Sequence, residues 1–252
     1  MINIVLPIAG RGSRFKDAGY ELPKPLIKIH QLSMIEVVVN NIRPECEHKF
    51  IFVALKEHLD HLGMRETLNR IAPGCSIIPV TEVTEGAACT VLLAEELINN
   101  EDELMLANSD QWVDIDINAY LTQMKNQSCV DGLIMTMWAD DPKWSYAALD
   151  NDGFVKQVVE KEVISNEATV GIYNFKRGSD FVKSARQMIS KNLRVNNEFY
   201  VAPVYNELVA NGANVRVYNI GKENLGMYGL GIPSDLESFL NSEKSFEAVA
   251  KK

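Results

Sequence analysis

A buried strand, a glycine-punctuated turn and a lysine set between two prolines follow one another from Ile4 to Ile29. No other part of the chain narrows the choice of fold as much. The order reads Ile-Val-Leu-Pro-Ile-Ala-Gly-Arg-Gly-Ser-Arg-Phe, then Lys-Asp-Ala-Gly-Tyr-Glu-Leu-Pro-Lys-Pro-Leu-Ile-Lys-Ile. The apolar run ends at Ile8, as a buried strand should before it feeds a loop. In the turn from Ala9 through Gly10, Gly12 and Ser13, the glycines let successive backbone N–H groups converge on one anion, because no Cβ blocks the approach. Arg14 and Lys24 add full charges, and phosphate is the anion that suits such a turn. Pro23 and Pro25 restrict the backbone on both sides of Lys24, so this lysine is aimed rather than free.

The rest of the first half alternates strand and helix. Ser33 and Glu36 form a capping-box pattern that predicts a helix through about Ile42, followed by a strand over Lys49–Leu55. Apolar spacing predicts one helix over Glu57–Ile71, then a strand over Ser76–Val80. This order implies a parallel sheet, with ligands outside the carboxyl ends of its strands. After the third strand, Gly86 and Ala87 begin a helix with small residues, which suits either the approach of a flat nucleobase or close helix packing. A fourth strand over Glu103–Asn108 ends at Ser109 and Asp110. A carboxylate there, facing a phosphate loop, suits Mg2+ bridging triphosphate oxygens, and Asp110 is the candidate metal ligand. Asp114-Ile-Asp116 has the form of a glycosyltransferase metal motif but comes late after the strand, and Asp116 reads instead as the cap of a helix over Ile117–Met124.

From Gly132 the pattern becomes β-rich. Strands are expected over Gly132–Trp138, Trp144–Leu149, Phe154–Glu160 and Thr169–Phe175, with Asn151-Asp-Gly153 as a hairpin turn. Helices are expected over Gly178–Lys191 and from Asn196 to about Ala210, then a strand over Val215–Ile220 and a last helix over Asp235–Leu240.

The loop ending in Ser-Arg followed by Pro-Lys-Pro resembles the signature of nucleotidyltransferases that join a nucleoside triphosphate to a sugar phosphate or similar phosphomonoester. The resemblance implies an α/β fold: a Rossmann-like, mostly parallel mixed sheet flanked by helices, close to the GT-A glycosyltransferase fold, with a β-rich acceptor half. It implies one domain, with residues 1–126 binding nucleotide and residues 127–252 binding acceptor. Arg14 and Lys24 are then catalytic. Ala9, Gly10, Gly12, Ser13, Gly86, Ala87 and Ser109 bind the nucleotide, and Asp110 binds Mg2+. Glu160-Lys161, then Ser165-Asn-x-Ala168, then Gly171-Ile-Tyr resembles the acceptor half of the same family, making Tyr146, Glu160, Lys161, Gly171 and Glu198 acceptor residues. Taken alone, Glu160-Lys161 is an exposed charge pair, and Glu198 complements a helix N-terminus.

Two positions depart from the sugar-phosphate enzymes. Gly229 stands where many of them carry a second metal aspartate, with Asp235 nearby in an expected helix cap. Tyr146-Ala147 replaces a frequent Tyr-Gly, and the added methyl is expected to narrow the space for a sugar ring. Chain size is similar to that of cytidylyltransferases that act on small alcohol, amino-acid or phosphonate acceptors for capsule and surface polymers. The other classes compatible with these residues are a GT-A glycosyltransferase and a non-catalytic nucleotide-binding protein.

Composition limits the partners. A net charge of -9 over 252 residues argues against a general nucleic-acid binder, which needs a broad basic face. No apolar run of membrane-spanning length and no leader pattern is visible, which predicts a cytoplasmic protein with no membrane partner. Cys46, Cys75, Cys89 and Cys129 are widely spaced and read as reduced thiols. The expected partners are a nucleoside triphosphate and a small phosphorylated acceptor; the sequence leaves a homo-oligomer open.

Overall fold

The computed structural model describes residues 1–127 and 129–250. Its first strand, β1 (Ile2–Ile8), is apolar on both faces and almost wholly buried, as the central strand of a parallel sheet must be. A short helix α1 (Ser13–Asp17), a single 3-10 turn over Lys24–Leu26 and the hairpin β2 (Lys28–Ile29) and β3 (Leu32–Ser33) lead to α2 (Met34–Ile42). Glu36 Oε2 accepts hydrogen bonds from the Ser33 N–H at 2.9 Å and the Ser33 hydroxyl at 2.8 Å, so the helix starts where its capping pattern requires.

β4 (His48–Leu55) lies parallel to β1 along its whole length, and β5 (Ser76–Val80) extends the same edge after α3 (Lys56–His61) and α4 (Met64–Ile71). The chain then returns through α5 (Ala87–Leu92) and α6 (Glu95–Ile98) to place β6 (Glu103–Ala107) parallel to β1 on the opposite edge. The direction of strand addition reverses at β1, the point where open α/β sheets form a crevice. β7 (Gln111–Val113) and α7 (Ile117–Asn126) follow.

The second half contributes β8 (Gly132–Trp138), β9 (Ser145–Leu149), β10 (Val155–Glu160), β11 (Glu167–Phe175), α8 (Gly178–Ser190), α9 (Val204–Ala210), β12 (Val215–Glu223), β13 (Gly226–Gly229), α10 (Pro233–Leu240) and α11 (Glu243–Ala250). β11 runs antiparallel between β6 and β8, joining both halves into one mixed sheet of order β5-β4-β1-β6-β11-β8-β12-β13-β7, with β9 and β10 branching from β11. Ile4, Leu6, Phe52 and Met105 pack on one face of the sheet with Ile35 and Val38 of α2. Val5, Ile51, Val53 and Leu104 pack on the other with Phe181 of α8.

Two expected helices differ, and one further helix is present. The one over residues 57–71 breaks at Gly63, whose φ of 65° starts α4; Leu62 is 40% exposed, so the apolar stripe changes direction there. The one expected from Asn196 begins only at Val204, after Pro203. Asn196 and Asn197 instead take φ of 49° and 64° in a two-residue turn across which Val195 and Glu198 exchange backbone hydrogen bonds. Glu198 therefore complements no helix dipole. Finally, α10 is followed by α11, which packs on α2.

Asn41 ties α2 to β7, donating to the Val113 carbonyl and accepting from the Val113 N–H, both at 2.8 Å. Asn41→Ala leaves two buried backbone groups without partners and is expected to cost about 2–4 kcal/mol, measured by urea denaturation. An unchanged midpoint would show that Val113 finds other partners.

Candidate active site

The carboxyl ends of β1 and β6 open into a cleft of about 800 Å³ walled by both halves of the chain. That volume is within the range of small-molecule sites, roughly 300–1,000 Å³. Gly10, Gly12, Arg14 and Lys24 reach it from the first loop, and Asn108, Ser109 and Asp110 from the end of β6. Glu160, Lys161, Gly171 and Glu198 reach it from the second half.

The contact that closes the first-half wall is between Lys24 and Asp110. Gly12 has φ of 61°, and a Cβ on it would stand 3.2 Å from the Lys24 Cβ, so the glycine turn packs directly on the Pro-Lys-Pro segment. Lys24 Nζ donates to Asp110 Oδ2 at 2.5 Å, with the two side chains 18% and 30% exposed. A Cβ on Gly231 would lie 3.1 Å from the same Asp110 oxygen, and one on Gly229 would lie 3.2 Å from Asp235 Oδ2. Asp235 lies in the first turn of α10, yet it faces the cleft, and burial raises its pKa. The side chain expected only to cap a helix thus adds a second carboxylate to this wall.

Four expected site residues are placed elsewhere. Ala9 is buried in the core, and Ser13, at the start of α1, does not line the cleft although Gly12 and Arg14 on either side of it do, so only the backbone of these two residues is left for a ligand. Gly86 is off the wall too: a Cβ there would stand 2.5 Å from the Phe199 carbonyl oxygen, so its glycine serves packing, while Ala87 does line the cleft. Tyr146 is fully buried, with its hydroxyl donating to the Asp141 carbonyl at 2.7 Å. Ala147 is equally buried, so its methyl narrows nothing in the cleft. Gly171 lines the cleft, but a Cβ on it would come within 2.5 Å of Asn108 Nδ2, so the glycine makes room for Asn108. Asp116 caps α7 by accepting from the Asn118 N–H at 2.9 Å, and Asp114 pairs with Lys244 at 2.8 Å; neither belongs to a metal motif in the cleft.

Sequence reasoning missed Lys143, Trp144, Ser145 and Tyr200, all on the wall. Strand alternation was the available signal for Ser145, since it and Tyr146 must point to opposite faces of β9. Lys161 has φ of 58° and donates from Nζ to the Tyr200 hydroxyl at 2.9 Å, with the ammonium 5.0 Å from the ring centroid. That hydrogen bond raises the Lys161 pKa. Glu160 is only 8% exposed and accepts from the Ser145 hydroxyl. Burial pushes its carboxyl above the ordinary value, with Ser145 and Lys161 acting against the rise.

A carboxyl whose folded pKa is raised favours folding most below its unfolded pKa, and that contribution is lost as pH rises through the folded value. Glu160→Gln removes the loss. The variant is expected to have a higher Tm than the parent at pH 7 to 8, with the gain shrinking toward pH 4. Scanning calorimetry across that range checks this, and a pH-independent difference would contradict it.

The model of the nucleotidyl transferase family matches residues 3–209. Among solved structures, the nucleoside-diphosphate-sugar pyrophosphorylase from Vibrio cholerae RC9 is similar at 25% identity and a TM-score of 0.77, over 95% of this chain and 100% of that one. The inositol-1-phosphate CTP transferase from T. maritima shares 15% identity with a TM-score of 0.75, over 99% of this chain and 95% of that one. A UDP-glucose pyrophosphorylase complexed with UDP-glucose shares 19% identity with a TM-score of 0.73, over 100% of both chains. No curated protein matches the chain in sequence. A glycine turn and a Pro-Lys-Pro lysine meeting an aspartate at the sheet's crevice, together with a family match over most of its length, place this chain in the nucleotidyl transferase family.

Proposed function

We propose that the chain couples CTP, UTP or dTTP to a sugar phosphate or related phosphomonoester and releases pyrophosphate, making precursors for capsule or surface polysaccharide in the cytoplasm. The observation that carries the reading is the Lys24–Asp110 contact, which brings an aimed cation and a carboxylate to the mouth between β1 and β6. An oxygen of the acceptor phosphate attacks the α-phosphorus in line. A new P–O bond forms, the bond from that phosphorus to the bridging oxygen breaks, and pyrophosphate leaves with the electron pair. No general base is required, because a phosphate dianion is already nucleophilic at neutral pH. The work left to the protein is positioning and charge neutralisation.

The backbone from Ala9 to Ser13 holds the β- and γ-phosphates, Arg14 offsets charge on the leaving pyrophosphate, and Lys24 bridges the α-phosphate and the attacking oxygen. Lys161 and Tyr200 take the acceptor phosphate, and Glu160 and Glu198 take its hydroxyl or ammonium donors. Ala87 at the start of α5 offers a small surface for the base.

Among the described residues, no group of three or more His, Cys, Asp or Glu could hold a metal ion by itself. Asp110, with Asp235 on the same wall, is a hard oxygen donor set that fits Mg2+, an ion that takes one or two carboxylates and completes its shell with phosphates and water. When bound, the ion neutralises charge on the triphosphate oxygens.

Pyrophosphate release is the test, crossing CTP, UTP and dTTP, with ATP and GTP as controls, against glucose 1-phosphate, other sugar 1-phosphates, phosphocholine, phosphoserine and 2-aminoethylphosphonate. Release that requires one base and one acceptor supports the reaction, and a non-sugar acceptor would move the substrate class to the small cytidylyltransferases. No release with any pair would overturn it. Lys24→Ala is expected to lower kcat/KM by about 100- to 1,000-fold while changing folding stability by less than about 1 kcal/mol, since the pair is partly solvated. Asp110→Asn is expected to raise the Mg2+ concentration needed for half-maximal rate, and an unchanged requirement would place the ligand elsewhere.

A further inference from the structure

Two loops at the cleft are fastened to each other, not only to the sheet. One runs from Thr84 to Thr90 and opens α5; the other runs from Asn192 to Ala202 and carries Glu198 and Tyr200. The Phe199 N–H donates to the Glu85 carbonyl at 2.8 Å, and the Ala88 N–H donates to the Phe199 carbonyl at 3.0 Å. Gly86 lets the loops come this close, because its φ of 126° is one that side chains disfavour and a Cβ would strike the Phe199 backbone. Its carbonyl is pinned in turn by the Thr84 hydroxyl at 2.9 Å and the Thr90 N–H at 3.0 Å.

Arg194 closes the same junction from its exposed side. The guanidinium takes the two Glu85 carboxylate oxygens at 3.1 and 3.2 Å, donates to Asn192 Oδ1 at 2.6 Å and lies 4.2 Å from the centroid of the Phe199 ring. A planar fork on a carboxylate, stacked on an aromatic face, sets direction as well as distance, which a point charge does not. The residues that follow form the tight turn across Asn196 and Asn197, so the direction set at Arg194 passes to Glu198 and Tyr200. Arg194 itself is absent from the cleft wall.

We infer that Arg194 is a positioning residue for the acceptor: its bridge to Glu85 and its stack on Phe199 register the Glu198–Tyr200 arm against the loop that opens α5. This rests on the reading above, in which that loop meets the base and Tyr200 with Lys161 meets the acceptor phosphate. Glu85 is 65% exposed, so the ion pair contributes little to global stability, and its effect falls on local geometry.

The test is steady-state kinetics on the full chain, using the triphosphate and the acceptor from the panel above that the wild-type chain turns over. Arg194→Ala is expected to raise the acceptor KM about five- to tenfold and to leave the triphosphate KM within about twofold. Glu85→Ala should reproduce the shift, and the double variant should add little to either single one, because the pair acts as a unit. Arg194→Lys should recover only part of the loss. An unchanged acceptor KM in Arg194→Ala, or equal rises in both KM values, would overturn the inference while leaving the reaction intact. A wild-type chain that releases no pyrophosphate with any pair overturns the reaction and the inference together, so the two failures are told apart by the wild type.

Discussion

The pairing of β1 on both of its edges is the constraint from which the site follows. Because β4 and β6 both lie parallel to β1, the strands on either side need helical returns, and the loops after β1 and β6 come out side by side at one end of the sheet. The glycine turn and Asp110 sit on these two loops. Their meeting is thus a result of strand order, and Lys24 only fastens together what the sheet has already brought close. A shift of β6 by one residue would turn the side chains beyond it to the opposite face, so the site also depends on the register of β6 against β1.

Several glycines work by leaving room for another residue rather than for a ligand. Gly12 makes space for Lys24, Gly171 for Asn108 and Gly86 for the Phe199 backbone. The cleft wall is therefore shaped by contacts within its own surface at Gly12 and Gly171, and by one contact behind it at Gly86. Glu160 shows the opposite tension: its carboxyl is buried, the Ser145 hydroxyl and Lys161 offset that burial only in part, and its pKa stays raised. A group held at such a disadvantage suits a wall that a ligand with hydrogen-bond donors or positive charge completes.

Much of residues 1–126 was legible because each signal there is local. Apolar runs gave the strands, Ser33 and Glu36 gave a helix start, and Asp116 gave another. Errors arose where two local signals competed. Gly63 interrupts an apolar spacing that otherwise reads as one helix. Phe199, Val201, Val204 and Leu208 mimic a helical stripe after Asn196 and Asn197, but those two asparagines take left-handed φ and Pro203 delays the helix. Tyr146 failed for another reason. Matching a motif identifies a residue, whereas the pleat decides which of two neighbours faces the cleft, and here Ser145 lines it. Asp235 and the Arg194–Glu85 bridge depend on contacts between segments far apart in the chain, to which no local pattern points.

The charges on the cleft wall also bear on how a triphosphate is accommodated. Arg14, Lys24, Lys143 and Lys161 are matched there by Asp110, Glu160, Glu198 and Asp235, on a chain whose net charge is -9. Lys24 is already engaged with Asp110, and Lys143 with Glu223 at 3.0 Å. Such a wall offers no surplus positive charge, so long-range attraction does little to draw in a polyanion. In the reading proposed above, affinity comes from directed contacts at short range: backbone N–H groups in the glycine turn, and lysines that exchange a carboxylate for a phosphate as the ligand enters. Exchange of partners favours an anion that arrives with its own countercharge, because the carboxylate released from Lys24 then gains a cation instead of facing the phosphates alone. The balance of charge in the cleft thus fits a triphosphate that carries a divalent ion, as in the reading proposed above.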